Sequence, residues 1–249
     1  PTMGSWLNYG LGSESQNLPG YVVLTSGRGS SAGATLWQSG FLPSTYSGVL
    51  FRNQGEPVLN LTNPAGIPPE LQRQGLNALR NANQQRFAEV HDPEIAARIA
   101  SYELAYRMQT AAPELVDFSA ESKQTLEMYG VGDKQGHQFG SNCLMARRMA
   151  ERGVRFIQLY HYTWDDHSNL NEKLKHNCQM TERGVAALIT DLKQRGLLEE
   201  TLVVWGGEFG RTPMNEVRRG VNPGREGRDH HPFGFTMLLA GGGVKPGYI

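Results

Sequence analysis

The sequence predicts an α/β domain built on parallel strands, and three observations carry that reading. Val154–Tyr160 and Thr201–Gly206 are short runs rich in β-branched and aromatic residues, as buried strands require. Between them, from about Asn171 to Arg195, apolar residues recur at helical spacing. A strand, a helix and a strand in succession form a right-handed crossover, so strands 154–160 and 201–206 are expected side by side and parallel, with their carboxyl ends on one edge. Ligand chemistry in open α/β sheets collects outside that edge, where a rigid sheet holds solvent-accessible loops.

Taken in order, residues 1–91 are loop-rich, with much Gly, Ser, Pro and Asn and one short apolar run, Tyr21–Leu24, that reads as a buried strand. GRGSSAGA (Gly27–Ala34) resembles a phosphate-cradling loop but lacks the closing Gly-Lys-Ser/Thr and any following helix, so it reads as a surface loop. Trp37, Phe41, Tyr46 and Phe51 are expected to pin this region to the domain. From residue 92 to 249 the pattern is regular α/β. Asp92-Pro93-Glu94 is a helix start, with Ile95, Ile99, Tyr102 and Tyr106 at helical spacing up to Ala112-Pro113. Ser119-x-x-Ser122 opens a second helix that stops at Tyr129-Gly130, and a third runs from about Phe139 to Arg152, before Gly153. In the long helix ending at Gly196, Leu174, Met180, Val185, Leu188 and Leu192 form the expected inward stripe.

With 249 residues and 39% hydrophobic content the chain can bury a sizeable core, and it is read as a single domain. A net charge of zero argues against a nucleic-acid partner. No apolar run approaches the roughly 20 residues that span a bilayer. Cys143 and Cys178 lack C-x-x-C spacing, so neither zinc nor redox chemistry is assigned to them.

The chemistry-bearing residues lie after the strands. Three loops come to the predicted edge: one with Asp165, Asp166 and His167, one with Glu208 and Arg211, one with Asp229, His230 and His231. Mixed carboxylate and imidazole donors suit a divalent metal such as zinc or manganese, and a cation would relieve the repulsion among gathered carboxylates. Glu208 has an apolar strand behind it and two glycines that let another group approach. One of Asp165 and Asp166 is expected to serve as a turn or cap residue. His161 at its strand end is open between ligand and supporting group. His91, His137 and His176 are read as structural or surface residues. Arg211 and Arg228 suit a tetrahedral oxyanion, or else pair with the neighbouring acids. A Ser/His/Asp hydrolase is disfavoured, because no G-x-S-x-G occurs.

The stretches WGGEFGRTP, GRDHHPFGFTMLLAGGGVKPG, PTMGSW-x-x-YGLG, SYELAYRMQTAAPE, RRMAERGVRF and DLKQRGLL resemble, over nearly the whole chain, the 1501 family of domains of unknown function. That bacterial family is described as sulfatase-like and placed in the alkaline phosphatase superfamily. The resemblance implies a three-layer α/β/α sandwich with a mostly parallel central sheet, and metal-assisted hydrolysis of a small-molecule or glycan phosphate or sulfate ester. It implies a divalent metal cofactor, zinc foremost, with manganese or calcium as alternatives, and a periplasmic or exported location. Glu208 matches the strand-end acid of the superfamily's Asp-His-Gly motif, although Phe209 stands where that motif has a ligand His. Asp165 and His167 match an Asp and downstream His at shorter spacing, and His230 or His231 matches the His before the next strand. The resemblance further implies a strand ahead of Pro1 bearing a first ligand and the nucleophile, and a His-bearing segment beyond Ile249, so the fold is expected to be incomplete at both ends and inactive alone.

The expected site is therefore Asp165, His167, Glu208, His230 and His231 as metal ligands, with Arg211 as oxyanion clamp and Asp229 beside it. A non-catalytic exported binding or surface protein with an eroded site is the competing expectation, favoured by Phe209.

Overall fold

The computed structural model describes residues 1–27, 32–52, 55–207 and 209–248. Glu208 and residues 28–31 of the GRGSSAGA stretch lie outside the described residues. The chain is mixed α/β, with a three-stranded parallel sheet and, among the described residues, six α-helices. It divides into two compact units, Pro1–Glu121 with Arg148–Tyr160, and Ser122–Arg147 with His161–Ile249.

The first unit is organised around β1 (Tyr21–Ser26), whose Tyr21–Leu24 segment is fully buried. An unbroken apolar run is what a strand covered on both faces needs. β2 (Val49–Phe51) runs parallel to it in the register Val22↔Val49 and Leu24↔Phe51, and β3 (Phe156–His161) flanks the other side. Phe156 N–H donates to Gly20 O and Ser26 Oγ donates to Tyr160 O, so β1 and β3 climb together. Helix α1 (Met3–Leu11) approaches this sheet through Gly4, where a Cβ would lie 2.5 Å from Phe156 Cδ1. Trp37 and Tyr46 meet Tyr160 and Tyr9, and Phe51 is buried, as expected of residues that pin the irregular region, whereas Phe41 is 77% exposed.

Residues 1–91 hold more regular structure than their composition suggests. Helix α2 (Pro69–Val90) packs against α3 (Pro93–Val116). No residue of α2 is buried, which is why it shows no apolar stripe. Polar contacts hold the pair: Glu103 accepts from Arg73 and Arg80, and the Arg73 guanidinium lies 4.8 Å from the Tyr106 ring centre. Asp92 caps α3 as predicted, accepting from Glu94 N–H, but the helix runs through Pro113 to Val116.

In the second unit, α4 (Lys123–Tyr129) is capped by Ser122 and ended by Gly130 in the left-handed conformation, as its sequence predicts. Helix α5 (His137–Ala150) contributes its first part here, and α6 (Leu170–Gln194) crosses it where both have glycine: a Cβ on Gly184 would sit 3.3 Å from Gly140 Cα. The buried face of α6 is Asn177, Thr181, Gly184, Ala187, Asp191 and Leu192. Of the predicted stripe only Leu192 is fully buried, and Leu174 is 42% exposed, because close approach at Gly184 and a buried polar cluster set the helix rotation. In that cluster Asp191 accepts from Tyr129 Oη at 3.0 Å, Arg147 Nε at 2.9 Å and Arg195 Nε at 2.7 Å. Burial raises the Tyr129 phenol, with Asp191 adding to the effect.

The predicted pairing of strands 154–160 and 201–206 does not form. β3 belongs to the sheet of the first unit, and β4 (Leu202–Gly206) pairs antiparallel with β7 (Met237–Gly241), in the register Leu202↔Gly241 to Gly206↔Met237. Pattern identifies a strand but not its neighbour, and two equally apolar runs separated by a long polar excursion close on each other. The short strands β5 (Gly210–Arg211) and β6 (His230–His231) extend that excursion as a second antiparallel pair. Among the described residues no helix is long and apolar enough to cross a membrane.

Candidate functional site

The site is assembled by three backbone segments of the second unit. The returning segment 225–231 lies between the other two and bonds both. On one side Asn169 N–H donates to Arg225 O at 2.8 Å and Arg228 N–H to Asp166 O at 3.1 Å. On the other, Thr212 N–H donates to Asp229 O and Glu216 N–H to Gly227 O, each at 2.9 Å. Gly227 sits at the crossing, where a Cβ would fall 2.1 Å from His167 C and 2.2 Å from Asp166 O. The absence of a side chain is what lets the segment carrying Asp229 and His230 lie against the segment carrying Asp165 and His167.

The approach to Asp165 is itself constrained. Thr163 is held at φ 91°, a costly conformation for a β-branched residue. Asn177, buried on α6, holds it there by donating from Nδ2 to Thr163 O at 2.7 Å and accepting from Thr163 Oγ1 at 3.1 Å. Strain of this kind collects where a chain must present side chains in a fixed direction.

Asp165 Oδ1 is the focus. Arg211 Nη1, His230 Nε2 and His167 Nε2 each lie 2.9 Å from it. Arg211 and His230 reach it together because β5–β6 pairing makes them direct cross-strand partners. The hydrogen bond from His230 and then that from Arg211 hold the Asp165 carboxyl well below the usual carboxylate range, at about 2. Phe209 lines this corner: its ring centre is 4.7 Å from that of His230, and the Arg211 guanidinium is 5.8 Å above it. On its other nitrogen, His167 Nδ1 faces Glu216 Oε2 at 2.6 Å. Glu216 is gripped by Arg218 Nε, and the hydrogen bonds of Arg218 and His167 lower its carboxyl.

The ligand atoms of Asp165, His167 and His230 lie within 4.8 Å of one another, and so do those of His167, Glu216 and Asp229. The first set fits a divalent cation by donor chemistry, one carboxylate and two imidazoles. The structure thus brings together five of the predicted residues, Asp165, His167, Arg211, Asp229 and His230. His231 is placed differently. It follows His230 in β6 and stands opposite Gly210, with its ring against Phe233. Glu208 lies outside the described residues.

Asp166 is the structural member of its pair: it is buried, its carboxyl is raised by that burial, and Lys173 lies 3.7 Å away. His161 is packed between Phe139 and Trp164, and burial lowers its imidazole. His91 ends α2, His137 begins α5 and His176 lies on α6. Glu216 and Arg218 carry no sequence signal, since they sit in a polar stretch without periodicity or motif.

The whole chain, residues 1–249, matches the family described as Protein of unknown function (DUF1501), and the chain belongs to that family. No match is found among curated proteins or among solved structures.

Proposed function

We propose that this member of the DUF1501 family is a metal-dependent hydrolase of phosphate or sulfate esters, on small-molecule or glycan substrates, with Asp165, His167 and His230 holding a divalent metal, zinc first among candidates. The observation that carries the reading is the convergence of those three donors, with Arg211, around Asp165 Oδ1. A divalent cation there would supply Lewis acidity and a nucleophilic oxygen at neutral pH. Arg211 is suited to grip an anionic ester oxygen, because a planar guanidinium binds a tetrahedral oxyanion through two donors. In the resting state it donates to Asp165, and an incoming anion competes for it. Asp229 fixes the next residue, accepting from His230 N–H at 2.7 Å, and so supports the ligand imidazole. Glu208 remains a proposed ligand on its sequence motif alone. An exported location belongs to the same proposal, through the sulfatase-like resemblance.

A second reading, a non-catalytic binding or surface protein with an eroded site, is favoured by Phe209, whose ring stands against His230 where the resembled motif has a ligand His. Metal content, with turnover of aryl phosphates and aryl sulfates, separates the two. The enzyme reading predicts bound zinc, lost in Asp165→Ala and in Glu208→Ala, and turnover when the chain is joined to the nucleophile-bearing strand that the resemblance implies. Metal-free protein without turnover supports the second reading.

A further inference from the structure

We infer that Glu216 is a positioning residue that orients the His167 ring, accepting a hydrogen bond from Nδ1 so that Nε2 faces Asp165 and His230. The inference builds on the metal reading of this cluster and assigns it a residue that reading does not contain.

The short contact decides the proton's place. A carboxylate only accepts hydrogen bonds, so Glu216 Oε2 at 2.6 Å from His167 Nδ1 requires a proton on that nitrogen. Arg218 Nη2, 2.9 Å from the same nitrogen, would ask for a lone pair there instead. The two demands are incompatible, and the carboxylate prevails. A bare Nδ1 would set its lone pair against an anionic oxygen at the shorter distance, whereas Arg218 is already engaged through its Nε on Glu216.

Water competes little, since the side chains of His167 and Glu216 are 16% and 14% exposed. The placement of Glu216 is built into the backbone. Its N–H is bonded to Gly227 O, and Gly227 abuts the His167 main chain. With Nδ1 held by Glu216, Nε2 lies 2.9 Å from Asp165 Oδ1, where by the same rule it donates a proton that a shared cation would replace. A carboxylate behind the non-ligating nitrogen of a metal-bound histidine fixes ring orientation and raises basicity, and its loss costs 10–100-fold in metal affinity.

The test uses the 249-residue chain and two readouts. Nitrogen-15 NMR of the His167 ring should show a protonated Nδ1. Glu216→Ala should leave Nδ1 without its proton, facing Arg218, and weaken zinc binding about 10–100-fold. Glu216→Gln, which keeps an accepting oxygen, should restore Nδ1–H and most of the affinity. A bare Nδ1 in the wild type would overturn the inference, as would an Nδ1 proton and zinc affinity left unchanged in Glu216→Ala. A wild type that takes up no zinc yet keeps its Nδ1 proton under Glu216 control would sink the metal reading and leave the positioning role of Glu216 standing.

Discussion

Gly227→Ala is the substitution most diagnostic of how the site is built. The new methyl carbon would meet His167 C at 2.1 Å, Asp166 O at 2.2 Å and His167 Cα at 2.4 Å. All three are backbone atoms, so no side chain can rotate away, and segment 225–231 must move off segment 165–170. That movement breaks the Arg228 N–H bond to Asp166 O and strains the Glu216 N–H bond to Gly227 O. Overpacking of this kind costs about 1–3 kcal/mol and each lost hydrogen bond about 1 kcal/mol, so a loss of roughly 2–4 kcal/mol is expected. Because His230 lies three residues on, its reach to Asp165 is lost with the shift, and zinc affinity should fall by more than tenfold. Urea unfolding followed by circular dichroism reads the first effect, and titration calorimetry with zinc the second. A Gly227→Ala protein with wild-type stability and zinc affinity would refute the three-segment assembly.

Three further outcomes follow. Asp191→Ala removes the carboxylate shared by Tyr129, Arg147 and Arg195, leaving the Arg147 guanidinium, 3% exposed, without that counter-charge, and should destabilise by about 3–5 kcal/mol in urea unfolding. Gly75→Ala meets no atom within 4 Å in the middle of α2 and should stabilise by roughly 0.5–1 kcal/mol, read in the same experiment. Carbon-13 NMR of metal-free protein should place the Asp165 midpoint at about 2, rising toward the ordinary range in His230→Ala. Its folded value is depressed, so its contribution to stability is present above the unfolded value near 3.9 and is lost as pH falls from there through about 2. At 65% side-chain exposure that contribution is screened to about 1 kcal/mol or less.

Local signals carried the helices. Asp92 before Pro93, Ser122 and the left-handed Gly130 are read directly from residue type, because caps and φ > 0 positions depend on neighbours in sequence. α2 was not legible, since a helix with no buried face leaves no apolar period. Strand partnership was not legible either: Val203 and Leu239 are equally apolar, and nothing in β4 says that it pairs with β7 rather than with a strand before α6. Asp165, His167 and His230 could be found because ionisable residues beside apolar strands are costly unless used or paired. Glu216 could not, because its place depends on a backbone bond to Gly227 across a polar loop.

The proposed chemistry depends on a divalent cation held by Asp165, His167 and His230. Anomalous diffraction at the zinc edge, from crystals grown with zinc, tests it most directly. The account predicts one strong peak about 2.0–2.2 Å from an Asp165 oxygen and from Nε2 of His167 and His230, absent in His230→Ala crystals. No peak at that position, or a peak that persists in His230→Ala, would contradict it.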